Sequence, residues 1–241
     1  MRIGIVTLAF CIFGSIGSAD APSSELASVD GVVSVVRKTK GAADNGEVVI
    51  WLKPVAEPGQ RSSESPQSRV RLKIVQQNKR FEPRFLVVPV GSAVDFPNVD
   101  PFFHNVFSLF DGKRFDLGLY EAGTSRSVSF NSPGVCYIFC NIHPEMSAVV
   151  VVVDTPYYAV SNRAGEFTVP NVPLGRYVLS VWHDHHKPER PNEFPRDVRI
   201  SQANASLGVI RLIESVPVIV PHKNKYGHQY NAAPPLSPIY K

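Results

Sequence analysis

The chain has 241 residues, 44% of them hydrophobic, with 25 basic against 21 acidic side chains and a net charge of +4. That length suffices for one or two domains with real cores, and a basic excess so mild and so scattered among acids gives no footing for a nucleic-acid partner. Three cysteines are too few for a disulfide framework in a domain of this size.

Residues 1–19 read as a leader: Arg2, an apolar run from Ile3 to Ile16, then Gly17-Ser18-Ala19 before the first acid, Asp20. That order marks a secretory signal peptide cut after Ala19. Its apolar run is shorter than the roughly 20 residues a membrane-spanning helix needs, and no later run reaches that length. The expectation is export, to the periplasm, with no membrane span after cleavage. Cys11 leaves with the leader, so the mature chain keeps Cys136 and Cys140.

Beyond the leader, helical periodicity gives way to short β-rich runs separated by Gly, Pro, Asn and Asp: "GVVSVVRK", "EVVIWLKPV", "VRLKIVQQ", "RFLVVPV", "SAVDF", "SRSVSF", "VCYIFC", "AVVVVVD", "EFTVP" and "RYVLSVW". Such a series predicts an all-β protein built of sandwiches or barrels. Asn45-Gly46 stands between the first two runs as a hairpin signal. The polar stretch 56–68 reads as a linker, and the tail 217–241, with five prolines from Pro217 to Pro238, as an extended arm.

"GVCYIFCNIHPEM", 134–146, concentrates sulfur and imidazole ligands. Cys140, His143 and Met146 are spaced by three, so their side chains can converge around a tight loop. His104, in "DPFFHNVFS", is the candidate upstream histidine between the linker and Cys140. Two histidines and a cysteine with a long axial methionine are the donor set of a blue-copper centre, whereas methionine is a poor zinc ligand.

With these residues in place, "FEPRFLVVPVGSAVDFPNVDPFFHNVFS" followed by "SPGVCYIFCNIHPEMSAVVVVV" resembles the cupredoxins of the plastocyanin and amicyanin kind, over residues 69–154. The short interval from Cys140 to Met146 is closest to amicyanin. The resemblance implies a Greek-key sandwich and one copper ion held by His104, Cys140, His143 and Met146. It also implies Asn105 as a group tying the ligand segments together, and His143 as an electron port with Pro144, and Leu117 or Leu119, beside it. Phe102, Phe103, Phe107 and Phe139 would supply an apolar shell.

Cys136 shares a strand face with Ile138 and Cys140, about 13 Å from Cys140 at strand spacing, too far for a disulfide. It reads as a core thiol. The alternative is a dinuclear copper site using both cysteines, but only Asn141 and Ile142 separate Cys140 from His143, one residue fewer than that site uses.

"YYAVSNRAGEFTVPNVPLGRYVLSVWHD", 157–184, resembles the carboxypeptidase-regulatory or transthyretin-like sandwich, whose opening strands are matched far upstream in residues 30–54. The cupredoxin-like segment would then be inserted into a second sandwich made of 26–55 and 155–213, rather than standing in tandem with it. Trp51 and Trp182 fit sandwich cores and need no functional role. His183, His185 and His186 form a possible auxiliary copper site or a solvated loop, and His222 and His228 read as surface groups. The pattern resembles proteins labelled as methylamine utilisation proteins, although nothing in these residues shows that pathway. The expected function is carriage of single electrons between redox partner proteins, without catalysis. The alternatives are copper delivery and a structural module.

Overall fold

The computed structural model describes residues 25–36, 46–55, 71–109, 113–184, 194–214 and 224–229. Every regular element among them is a β-strand, so the all-β expectation holds. The chain opens with β1 (Leu26–Val36) and β2 (Val49–Pro54). Five short strands follow: β3 (Arg71–Lys73), β4 (Val75–Gln77), β5 (Arg80–Glu82), β6 (Phe85–Pro89) and β7 (Ser92–Pro97). The next five are β8 (His104–Ser108), β9 (Phe115–Tyr120), β10 (Ser125–Phe130), β11 (Gly134–Phe139) and β12 (Ser147–Val153). The last five are β13 (Tyr158–Val160), β14 (Glu166–Pro173), β15 (Gly175–Trp182), β16 (Arg196–Ile200) and β17 (Ser206–Ile213).

The strands from β3 to β12 form one sandwich. Its larger sheet runs β6-β12-β11-β8-β9 and faces the smaller sheet β10-β7-β3, with the β4–β5 hairpin alongside. Phe96, Phe130, Val106, Ile138, Val150 and Met146 belong to the core between them. The remaining strands form a second pair of sheets, β14-β1-β17 and β13-β2-β15-β16. Their core holds Val29, Val33, Ile50, Leu52, Val169 and Leu179.

β1 alternates exposed and buried residues along its length, as a strand with one face on a core must. It pairs antiparallel with β14 and parallel with β17, whereas β2 pairs with β13 and β15 in the opposite sheet. The expected hairpin at Asn45-Gly46 therefore does not form between them; Asn45 itself lies outside the described residues. Both strands point apolar residues at the same core from opposite sides, and two strands facing each other across a core cannot also be hydrogen-bonded neighbours.

The run "AVVVVV" explains how the two sandwiches meet. Ala148, Val150 and Val152 of β12 enter the first core, while Val149, Val151 and Val153 pack outward against Val49, Trp51, Tyr158 and Trp182. A strand covered on both faces reads as a continuous apolar run rather than an alternating one. Trp51 and Trp182 thus lie between the sandwiches and not inside the second core, because Ile50 and Leu52 occupy the inward parity of β2. Trp182 stacks on Phe85, with ring centroids 5.6 Å apart and planes 3° from parallel. Two ion pairs lie at the junction, Arg84–Asp184 at 3.2 Å and Lys53–Asp154 at 2.6 Å. Burying one valine is worth about 1.5 kcal/mol, an exposed ion pair under about 1 kcal/mol, so the apolar face dominates the junction.

Candidate metal centre

One end of the first sandwich brings the ligand candidates together. His104 is the first residue of β8, and Cys140 directly follows β11. The loop from Cys140 to Met146 is closed by Cys140 N–H donating to the Met146 carbonyl (3.2 Å) and Met146 N–H donating to that of His143 (3.0 Å). His104, Cys140 and Met146 are fully buried and His143 is half-buried.

His104 Nδ1 lies 3.0 Å from His143 Nδ1, and Cys140 Sγ lies 3.9 Å from the first and 3.6 Å from the second. The three side chains each offer one ligand atom, and those atoms all lie within 4.8 Å of one another. Two imidazole nitrogens and a thiol converging in an apolar shell suit a soft or borderline transition-metal ion. Met146 shares the buried cluster with Cys140, which places its thioether in the same core. Phe102 rests against both imidazoles, 5.2 Å from His104 and 5.8 Å from His143 between ring centroids, and Phe107 and Phe139 pack on each other at 6.0 Å. Phe103 and Pro144 are exposed instead, as is Ile142, each next to a ligand in sequence, and so is Leu119, which pairs with Asn105 across the β8–β9 ladder. Leu117 packs against the core.

Electrostatics favour neutral imidazole and a shielded sulfur. Burial pushes the His143 pKa down, reinforced by His104 nearby. Burial pushes the Cys140 thiol up, opposed by the backbone N–H groups of Asn105, Ile142 and His143, which donate to the sulfur. Asn105 thus joins the two ligand segments through its backbone. Its side-chain Nδ2 turns away and donates to Asp116 Oδ1 on β9 at 2.7 Å.

A residue absent from the motif reading completes the surroundings of His104. Asp100 Oδ2 accepts from His104 Nε2 at 2.8 Å, leaving the Nδ1 lone pair directed at Cys140 and His143. The same carboxylate accepts the backbone N–H groups of Asn78 (2.7 Å) and Lys79 (2.9 Å). Both turn residues have positive φ, 55° and 54°, the backbone of a two-residue hairpin loop between β4 and β5. Burial raises the Asp100 pKa, but the donors from Lys79, His104 and Asn78 outweigh it and hold the carboxyl below its ordinary value. The one sequence trace of this partner is an acid four residues before His104.

Cys136 stands outside the converging group. It is fully buried on β11 and unbridged, with Sγ 3.3 Å from Ser108 Oγ and 3.4 Å from the Lys113 carbonyl. His183 is buried at the end of β15, lining a cleft of about 520 Å³ between the sandwiches that shares no residue with the metal centre. His185, His186 and His222 lie outside the described residues, and His228 is exposed.

No protein-family profile matches the chain, and no curated protein matches it. Similar solved structures include a purple cupredoxin from Nitrosopumilus maritimus, 26% identical, covering 34% of this chain and 99% of its own, with a TM-score of 0.31. A copper(I) amicyanin variant is 19% identical over 43% of this chain and 98% of its own, at a TM-score of 0.33. A copper-containing nitrite reductase from Thermus scotoductus SA-01 is 23% identical over 50% of this chain, at a TM-score of 0.34. The matched region spans 28% of that enzyme.

Proposed function

We propose that the protein is an exported blue-copper electron carrier, with one copper ion held by His104 Nδ1, His143 Nδ1 and Cys140 Sγ and, more weakly, by the Met146 thioether. The observation that carries this reading is the convergence of two imidazole nitrogens and a thiol in a buried pocket whose loop is closed by its own backbone hydrogen bonds. Copper bound there would supply one-electron chemistry by alternating between Cu(I) and Cu(II). The protein's part is to keep the ligands still: His104 is braced by Asp100 and the loop by the Met146–Cys140 and Met146–His143 contacts. A site that hardly moves between oxidation states exchanges electrons readily.

His143 is the half-buried member of the set and the natural port, with Pro144, Ile142, Phe103 and Leu119 as apolar surface for a redox partner protein. With Met146 filling the loop, no ligand position is left for a substrate, which favours a carrier over an enzyme. The leader-like residues 1–19 support a periplasmic location. We read residues 69–154 as a cupredoxin-like unit inserted into a carboxypeptidase-regulatory-like sandwich of 26–55 and 155–213. The pairing of β2 with β13 and β15 supports this.

Copper loading of the purified protein tests the function. The expected result is an intense thiolate-to-copper absorption in the red, abolished in Cys140→Ser, with reversible one-electron cycling. Absence of that band overturns the blue-copper site. A band without reversible cycling favours copper delivery, and the hyperfine pattern of a dinuclear centre would bring Cys136 into the ligand set.

A further inference from the structure

After β17 the chain returns to the metal-bearing end of the other sandwich. There Asn224–His228 folds into a compact turn. Asn224 Oδ1 accepts the N–H groups of Tyr226 and His228, both at 3.0 Å, the Gly227 N–H donates to the Asn224 carbonyl, and the Asn224 N–H donates to that of His228. The turn is therefore shaped by its own hydrogen bonds and presents Lys225 in a fixed orientation.

Lys225 makes two contacts of different kinds. Its backbone N–H donates to Asn141 Oδ1 at 2.9 Å, and its Nζ pairs with Asp116 Oδ2 at 2.8 Å. Asn141 lies between Cys140 and His143, so its backbone sets the direction of both ligands. Asp116 accepts, through its other oxygen, the Nδ2 of Asn105, the residue after His104 whose backbone N–H faces the Cys140 sulfur. One residue near the C-terminus thus ties the Cys140–His143 loop to the β8–β9 ladder that carries His104.

Resting on the blue-copper reading, we propose that Lys225 is a positioning residue: the 224–228 turn clips the ligand loop against β9 and holds the metal centre closed. A partly exposed ion pair contributes little by itself. The clip acts because the backbone hydrogen bond and the ion pair leave the same preformed turn, so Asn141 and Asp116 are held at a fixed separation. Releasing it raises the frequency with which the loop opens, and with it the access of reagents to Cys140 and the escape of copper.

The test compares Lys225→Pro, which removes both the N–H and the ammonium, with Lys225→Met, which removes the charge alone. Both are made in the full chain carrying Cys11→Ala and Cys136→Ala, so that alkylation by iodoacetamide reports Cys140. In copper-free protein, Lys225→Pro is expected to alkylate about tenfold faster than its parent, as the loss of one hydrogen bond and one partly exposed ion pair allows, and Lys225→Met by less. In copper-loaded protein, Lys225→Pro is expected to lose copper to a chelator faster by a similar factor, with a changed ratio of its absorption bands. Alkylation of the copper-free Lys225→Pro protein at the parent rate overturns the clip. Because that readout needs no metal, it stands or falls separately from the blue-copper assignment, which fails if the unaltered protein shows no thiolate-to-copper band.

Discussion

Asp100 Oδ2 and His104 Nε2 lie 2.8 Å apart, both buried, and both oxygens of the carboxylate are also held by the N–H groups of the Asn78–Lys79 turn. The β4–β5 hairpin therefore fixes the tautomer and the plane of a candidate ligand through the intervening carboxylate. Replacing Asp100 by Asn keeps the shape and removes the charge. Copper affinity in competition with a chelator is expected to fall about 10-fold to 100-fold. The reduction potential, read by voltammetry, is expected to rise, since a less negative surrounding favours Cu(I). Unchanged affinity and potential would show that the carboxylate serves the hairpin alone.

Cys136 gives a contrasting prediction. Its sulfur faces Ser108 and Lys113, so Cys136→Ser places a hydroxyl where both a donor and an acceptor wait. The variant is expected to lose no more than about 1 kcal/mol in denaturant unfolding and to keep the red absorption band of the copper-loaded protein. Loss of the band on changing Cys136 would move it into the ligand set.

Alkaline pH should weaken the second sandwich. Tyr177 donates its hydroxyl to the Pro173 carbonyl at 2.7 Å, and burial, with Tyr157 close by, pushes its pKa up to about 12. The unfolded chain releases that proton near its ordinary value of about 10, so above it the unfolded state binds fewer protons and stability falls as pH rises. Tyr120, pushed up by burial, acts in the same direction in the first sandwich. Urea midpoints at pH 9 and pH 11 are expected to differ by about 1 kcal/mol of stability for Tyr177. Tyr177→Phe should flatten that loss.

The junction between the sandwiches is open to test through Trp182, stacked on Phe85 and packed against Val149, Val151 and Val153. Trp182→Ala is expected to cost about 2 kcal/mol, less than a fully enclosed tryptophan because the ring is half-buried. The absorption of the copper centre should be unaffected, because the stack lies on the outer face of the sheet whose inner face meets Met146.

The all-β character was legible because most strands have one covered face and so alternate. The unbroken valines of β12 were legible as a strand but not as the joint between two sandwiches. Parity alone cannot say whether the second face meets solvent or another sheet; that is also why Trp51 and Trp182 read as residues of sandwich cores and not of the junction. β9 escaped notice because Gly118, at φ +68°, accompanies a register shift in its pairing with β8 and spoils the alternation. Within the site, His104, Cys140, His143 and Met146 stood out because three of them share one loop with fixed spacing. Asp116 and Lys225, 109 residues apart, meet only in the folded molecule, and no local pattern announces such a pair. Asp100 was nearer at hand, but an acid at that spacing on a loop has no periodic face to mark it.

The pairing of β1 with β17 has a consequence for how the molecule is made. Val32 lies beside Val209, so β1, among the first strands to leave the ribosome, has no parallel partner until nearly the whole described chain has followed. β3 to β12 are complete by Val153, before any later strand that pairs with β1 or β2 has been synthesised. Long-range pairings of this kind are slow, and waiting strand edges invite wrong partners. The sandwich begun first is the one finished last, and it must close around a neighbour whose strands are already all present.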